Sequence, residues 1–129
     1  CVDFEATTDQ YPPESFIHEI IEFPLVLINA KTLQIEDGLQ IYVRPTINPQ
    51  LTPFCKQLTG IAQETVDAGV LLEEALEQVH DWLQSKHKLL SHPLEHYYRN
   101  CYKPWFKFLF VTDGPSDFLT FLRNECYAK

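Results

Sequence analysis

Two strand-patterned runs separated by a short polar break constrain this chain more than any other feature. From Leu33 to Arg44, Leu33, Ile35, Leu39, Ile41 and Val43 share one parity, and Gln34, Glu36, Gln40, Tyr42 and Arg44 share the other. A period of two marks a strand with one buried face. Asp37-Gly38 interrupts the alternation and reads as a bulge or bend. Upstream, Ile17 to Ile28 is strand-like, and Phe23 to Ile28 is apolar on both parities apart from Pro24. The break Asn29-Ala30-Lys31-Thr32 between the runs predicts an antiparallel hairpin.

The other elements follow from the same kind of reading. Cys1 to Phe4 reads as the tail of a further strand, central in the sheet if the hairpin continues from it. Thr7 to Ser15 is polar, carries Pro12-Pro13 and reads as a loop. Leu51 to Leu58 is predicted to be a short helix, capped by Thr52 and ended by Thr59-Gly60. Leu72, Ala75, Leu76, Val79 and Leu83 give an amphipathic helix over Leu72 to Leu83. Phe106 to Thr112 reads as a buried strand that runs into Gly114-Pro115. There, proline at the first helical position opens a last helix with Phe118, Leu119, Phe121 and Leu122 on its apolar face. The order predicts a mixed α/β sheet, and 129 residues suffice for one domain.

Composition narrows the function classes. At 45% hydrophobic and 13% aromatic the chain has material for a core, which excludes disorder. No apolar run approaches the ~18–20 residues of a membrane-spanning helix, and the acidic start CVDFEATTDQ is unlike a signal peptide. Methionine is absent, even at position 1, so the numbering is expected to cover a piece of a longer protein. The net charge of −8 argues against coating nucleic acid by bulk charge. It leaves open an enzyme that meets phosphates through metal ions held by carboxylates. Cys1, Cys55, Cys101 and Cys126 form no CxxC and no disulfide framework, so they read as reduced thiols of an intracellular protein.

Three places offer chemistry. Asp3 and Glu5 lie two apart on a strand, so both carboxylates face one side. They are either acids on a solvated edge or a pair whose repulsion a divalent cation would relieve. Asp113 and Asp117 flank a helix start, where acids offset the macrodipole. The other reading turns one of them toward Asp3 and Glu5 to complete a metal cage. The third place is the basic and aromatic stretch 86–105, with His87, His92, His96 and Cys101. Their spacing matches no common zinc signature. A solvated basic loop or an RNA-facing loop whose Tyr, Trp and Arg stack on bases fits better. His18 and His80 read as structural.

Together these residues resemble a known family. Asp3-Phe4-Glu5-Ala6-Thr7, His18-Glu19-Ile20-Ile21-Glu22-Phe23-Pro24 and Tyr42-Val43-Arg44-Pro45 are similar to segments of the Eri-type (enhanced-RNAi) 3′→5′ exoribonucleases. So are Gln50-Leu51-Thr52-Pro53-Phe54-Cys55, Leu58-Thr59-Gly60-Ile61, and Thr112-Asp113-Gly114 with Asp117. These enzymes belong to the DEDDh exonuclease superfamily. The resemblance covers nearly the whole chain and is weakest in 86–105, where this sequence looks longer than its relatives.

The resemblance implies an RNase H-like mixed sheet with flanking helices, incomplete at the C-terminus, in one partial domain spanning 1–129. It implies that Asp3, Glu5 and Asp117, rather than Asp113, are catalytic acids holding two Mg²⁺ or Mn²⁺ ions. It further implies that Ala6 and Thr7 lie beside the terminal nucleotide, and that Leu58, Thr59, Gly60 and Ile61 pack against the last base and sugar of an RNA 3′ end. Two-metal hydrolysis of the phosphodiester follows, with a histidine as general base. The location implied is the cytoplasm and/or nucleus.

This sequence departs from the family pattern in one major respect. The motif carrying that histidine and a fourth acid follows the second acidic motif in relatives, and no His-x4-Asp occurs here. Ser116 also stands where relatives usually have tryptophan. Three readings result: an exoribonuclease domain, inactive as this piece; a catalytically dead RNA-binding or interaction module of the same fold; or a DNA 3′→5′ exonuclease.

Overall fold

The computed structural model describes residues 1–86 and 109–128. Its sheet has the order β1-β2-β3, all antiparallel, with β1 Glu5–Ala6, β2 Ile20–Ile28 and β3 Ile35–Tyr42. The predicted hairpin is present. Asn29 closes it: its side-chain oxygen accepts from the N–H groups of Lys31 (2.9 Å) and Thr32 (3.2 Å), and its own N–H donates to Gln34 O (3.0 Å). Leu33 takes up the left-handed turn position, φ 58°.

Three details of the strands differ from expectation. The bulge is not at Asp37-Gly38, because Gly38 pairs regularly with Val26. Leu27 opposes Asp37 and Ile28 opposes Ile35, so the extra residue is Glu36. Second, β2 begins at Ile20, not Ile17, and the alternating run is buried only in its second half. Ile41 and Val43 are buried, but Leu33 and Ile35 are 78% and 71% exposed. Among the described residues the main core reaches no farther toward the hairpin tip than Leu25 and Leu39, so the tip stands clear of it. Third, β1 and β2 also carry a bulge: Glu5 opposes Glu22, Ala6 opposes Ile20, and Ile21 is left over. That extra residue flips the parity. Ile20 joins Phe23 and Leu25 on one face, while Ile21 enters a second core.

The segment before β1 runs along β2, with Val2 bridging Leu25. On its other flank the Val2 N–H donates to Val111 O (2.9 Å). This is the ladder contact made by the expected strand Phe106 to Thr112. Residues 106–108 lie outside the described residues. Leu109–Thr112 is not a buried strand: Leu109 is 87% exposed, and none of the four is in a strand among the described residues.

Helix α1, Pro53–Thr59, starts as its sequence dictates. The Thr52 hydroxyl accepts from Cys55 N–H (3.0 Å), and Gly60 closes the far end at φ 72°. Helix α2, Gln63–Asp67, is a short element that the periodicity did not reveal. Helix α3, Leu72–Ser85, lays Leu72, Ala75 and Val79 on the sheet. The last helix, α4, is wound as a π-helix over Asp117–Leu122 and as an α-helix over Arg123–Ala128. It begins after Pro115, whose carbonyl accepts from Leu119 N–H (2.9 Å).

The main core joins Val2, Phe4, Ile20, Phe23, Leu25, Ile41 and Val43 with α3, and Phe118, Phe121 and Leu122 of α4 pack against it. The second core holds Ile21, Leu51, Cys55, Ile61 and Val66, with Tyr42 against it. The two cores therefore clamp the sheet from opposite sides. Gly69 makes one approach possible. The segment after α2 hydrogen-bonds the end of β3, Val70 N–H to Tyr42 O (3.1 Å) and Arg44 N–H to Val70 O (2.7 Å). A Cβ at Gly69 would sit 2.7 Å from Tyr42 O. Gly69→Ala is therefore expected to cost about 1–3 kcal/mol by overpacking, lowering the thermal midpoint. Gly114→Ala, where a Cβ meets nothing within 4 Å, is expected to leave the midpoint near wild type.

Candidate active site

The acids of β1 are positioned by strand alternation. Val2, Phe4 and Ala6 are buried, while Asp3 is exposed and Glu5 half-buried on the other side. Asp117 arrives from the other end of the chain. Its buried carboxylate accepts a 2.7 Å hydrogen bond from the main-chain N–H of Phe4, the residue between the two acids. The Phe118 ring stands edge-on to Phe4 at 6.0 Å and holds the helix in place. The structure thus brings Asp117 to the Asp3–Glu5 strand. Asp113 is an exposed residue in the bend before α4, whereas Asp117 stands in the first turn, where an acid offsets the macrodipole; no side chain caps that helix.

Repulsion among the acids is visible at Glu5. Burial first, then the nearby charges of Asp3, Glu22 and Asp117, push its carboxyl above the ordinary glutamate value. Glu22 was not expected here. It stands directly opposite Glu5 in the β1–β2 register, and its carboxylate accepts from the Gln40 amide. The antiparallel pairing of the Glu5 and Glu22 strands could have flagged it, since like charges directly opposite destabilise a sheet.

The donor set suits a hard divalent cation, being carboxylate oxygens crowded around one position. Among the described residues, no three His, Cys, Asp or Glu side chains close into a cage by themselves. The acids are neighbours around an open position. One Asp117 oxygen is engaged by the Phe4 N–H, and a carboxylate has lone pairs to spare.

Beside the acids, α1 is tied to the main chain that follows β1. The Cys55 thiol donates to Ala6 O (3.6 Å), and the Thr52 hydroxyl donates to Thr8 O (2.7 Å). Burial pushes the Cys55 thiol up from its ordinary value, which keeps it protonated and a donor. Thr7 is locked as well: its N–H donates to Glu19 O and its hydroxyl accepts from Glu19 N–H, both at 2.8 Å. His18 Nδ1 lies 2.8 Å from Thr7 O, and its ring meets Phe16 and Phe121, so His18 is structural as expected.

Of the residues expected at a substrate, Ala6, Thr7 and Ile61 are buried, Thr59 is half-buried and bonded to the helix, and Leu58 and Gly60 are exposed. Leu58, 65% exposed at the end of a rigidly capped helix, is the apolar surface offered outward. A cleft of about 250 Å³ lies between Thr7-Thr8 and the segment Ile47–Thr52. A larger one of about 380 Å³ lies between Glu14–His18 and α4, away from the acids.

Two further carboxylates carry structure that the sequence did not reveal. Glu19, fully buried, accepts from the N–H groups of Thr46 (2.7 Å), Ile47 (2.9 Å) and Asn48 (2.6 Å) and so fixes the loop after β3. Glu125, also fully buried, accepts from Ile20 N–H (2.6 Å) at the start of β2. His87, His92, His96 and Cys101, the zinc candidates, lie outside the described residues, as does nearly all of the 86–105 stretch. Lys86, at its edge, pairs with Asp37. Cys1, Cys55 and Cys126 are free thiols.

Comparison with known proteins bears on this geometry directly. The exonuclease family model RNase_T matches residues 1–127. Human 3'-5' exoribonuclease 1 is 42% identical over 125 residues, covering 97% of this chain and 32% of that protein. Mouse ERI1 exoribonuclease 3 is 40% identical over 126 residues, covering 98% of this chain and 33% of that protein. The chain therefore spans about a third of the length of these curated relatives. Among solved structures, the nuclease domain of 3'hExo, a DEDDh family member bound to rAMP, aligns with a TM-score of 0.82 at 42% identity. That match covers 98% of this chain and 56% of the other. DEDDh exonucleases depend on metal, generally Mg²⁺ or Mn²⁺. The chain belongs to the exonuclease family and carries the RNase H-like α/β fold of its DEDDh members.

Proposed function

We propose that the protein carrying this chain is a 3′→5′ exoribonuclease that hydrolyses phosphodiester bonds with two divalent cations. The observation that carries the reading is the Asp117 carboxylate fastened to Phe4 N–H between Asp3 and Glu5. Asp3, Glu5 and Asp117 would hold Mg²⁺ or Mn²⁺. When bound, such ions polarise the phosphate and favour ionisation of the attacking water. The chain's own residues do the rest. Ala6 and Thr7, pinned by Cys55 and Glu19, present fixed main chain beside the acids. The loop Leu58, Thr59, Gly60 and Ile61 offers the exposed Leu58 side chain as an apolar shelf for the terminal nucleotide of an RNA 3′ end.

RNA is favoured over DNA as substrate because the relatives are named exoribonucleases, and one related 3'-exonuclease is described recognising the 3′ end of a histone mRNA stem-loop. The family's general base is a histidine placed after the second acidic motif, and no histidine of this sequence follows Asp117. A catalytically dead RNA-binding module is thus the outcome to exclude by assay. The 129 residues act as a single, partial exonuclease domain in this reading, and the protein works in the cytoplasm and/or nucleus.

Incubation with 5′-labelled single-stranded RNA and Mn²⁺ tests the proposal. The protein carrying this chain is expected to give a stepwise 3′ ladder. Asp3→Ala and Asp117→Asn should each abolish it with the fold retained. Asp113→Asn, at an exposed uncapped position, should leave activity and stability within about 0.5 kcal/mol of wild type. RNA binding without a ladder points to the dead module, and faster shortening of DNA to a DNA exonuclease.

The charge state of Glu5 gives a second test. A glutamate whose folded pKa is raised adds stability while protonated and loses it as pH rises through that pKa. Glu5→Gln should therefore raise the metal-free thermal midpoint at pH 7, with the gain shrinking as pH falls through the raised pKa and absent below the ordinary glutamate value of about 4.3. Mg²⁺ should raise the wild-type midpoint and leave Glu5→Gln nearly unmoved. A wild-type midpoint indifferent to Mg²⁺ counts against the site.

A further inference from the structure

We infer that Glu125 is a positioning residue for the catalytic acid Asp117, acting through the pose of α4. Its catalytic meaning rests on the metal-site reading above, and the geometry stands on its own. Both acids lie on the buried face of α4, and both accept from strand N–H groups. Asp117 takes Phe4 N–H at 2.7 Å, and Glu125 takes Ile20 N–H at 2.6 Å. Ile20 is opposite Ala6 in the β1–β2 register, two positions from Phe4. The two anchors are therefore diagonal neighbours on one strand pair, about 7–8 Å apart. Phe118, Phe121 and Leu122 fill the core between them.

The winding of α4 is what lets one helix reach both anchors. An α-helix turns about 100° per residue, so eight α-helical steps from Asp117 would leave position 125 about 80° out of phase. A helix with i→i+5 bonds turns only about 82° per residue. Five such steps across Asp117–Leu122, followed by three α-helical steps, return to phase within about 10°. The π-wound segment thus sets Asp117 and Glu125 on one face.

Glu125 touches neither Asp3 nor Glu5 in this arrangement, and its work is at a distance. A helix held only by its apolar face and by Asp117 can rotate or slide, and the Asp117 carboxylate then leaves Phe4 N–H. The Ile20 clamp removes that freedom. Residues that orient metal ligands in this way are worth about 10–100-fold in metal affinity or activity.

The test uses the ¹⁵N-labelled protein that carries this chain. Glu125→Met keeps the volume and removes the acceptor, and Glu125→Gln keeps an acceptor oxygen. Val66→Ala, in the second core, controls for lost stability alone. In Glu125→Met the Phe4 amide proton should move upfield, its exchange protection should fall about tenfold or more, and Mn²⁺ affinity should fall about 10–100-fold. Glu125→Gln should restore all three readouts. A folded Glu125→Met with the Phe4 amide unchanged overturns the inference, and so does Val66→Ala reproducing the Phe4 changes at equal loss of thermal midpoint. If Glu125→Met does not fold, Glu125→Asp, one methylene shorter, is read in the same way. A wild-type chain that binds no Mn²⁺ sinks the metal reading instead, and the Phe4 amide still decides the inference.

Discussion

The hydrogen bond from Phe4 N–H to the Asp117 carboxylate joins residues 113 positions apart and is the constraint on which the site depends. It turns two distant sequence motifs into one place. The bond is charge-assisted and buried, so losing the carboxylate leaves an orphan N–H in the sheet, at about 1–3 kcal/mol. The same bond fixes the first turn of α4 against β1, and the Phe4–Phe118 edge contact sits directly beneath it. Stability and site assembly are therefore carried by one interaction.

Asp117 belongs to a pattern. The buried carboxylates Glu19, Asp117 and Glu125 all accept from main-chain N–H groups. Each stands where a strand's ladder leaves a donor unpaired or where a loop turns its N–H groups inward. Buried N–H groups must be satisfied, and a carboxylate satisfies one more strongly than a carbonyl does. The first 85 residues of the same chain hold fourteen acids against three basic residues. Crowding of acids surfaces at Glu5, whose carboxyl is pushed up by burial and then by the charges of Asp3, Glu22 and Asp117.

What the sequence disclosed divides along physical lines. The hairpin was legible because its signal is local: alternation, then a polar turn. The α1 caps were legible because Thr52 and Gly60 act within a few residues. The bulges at Ile21 and Glu36 were not, because a bulge is a property of two strands in register, and parity within one strand cannot reveal it. The short α2 lacks a repeating period. The exposure of Leu33 and Ile35 depends on how far the helices reach, which no strand pattern encodes. For the site, Asp3 and Glu5 were visible as a same-face pair, whereas the choice of Asp117 over Asp113 came from the family resemblance. Glu19, Glu22 and Glu125 carried no local signal: each gains its role from a partner that the fold supplies. The two readings of Asp117 were not exclusive: it stands in the first turn of α4, where an acid offsets the macrodipole, and its carboxylate also bonds Phe4 N–H.

The acids and the loop of Leu58 to Ile61 form one rigid unit, and this follows from where the hydrogen bonds run. Beyond its local caps, α1 is bonded to Ala6 and Thr8, the residues leaving β1. Glu19 draws the loop at Thr46–Asn48 inward from the same side. A displacement of α1 would have to break the Thr52–Thr8 bond and expose Cys55, so the Leu58 edge cannot drift from Asp3 and Glu5 without local unfolding. Preorganisation of this kind lets a site built from mutually repelling carboxylates hold its shape before any cation arrives. The repulsion costs stability in the metal-free protein, and the same repulsion makes a bound cation favourable. A sheet clamped by two cores and a helix anchored at both ends are what such a site requires, because a looser frame would relax the acids apart.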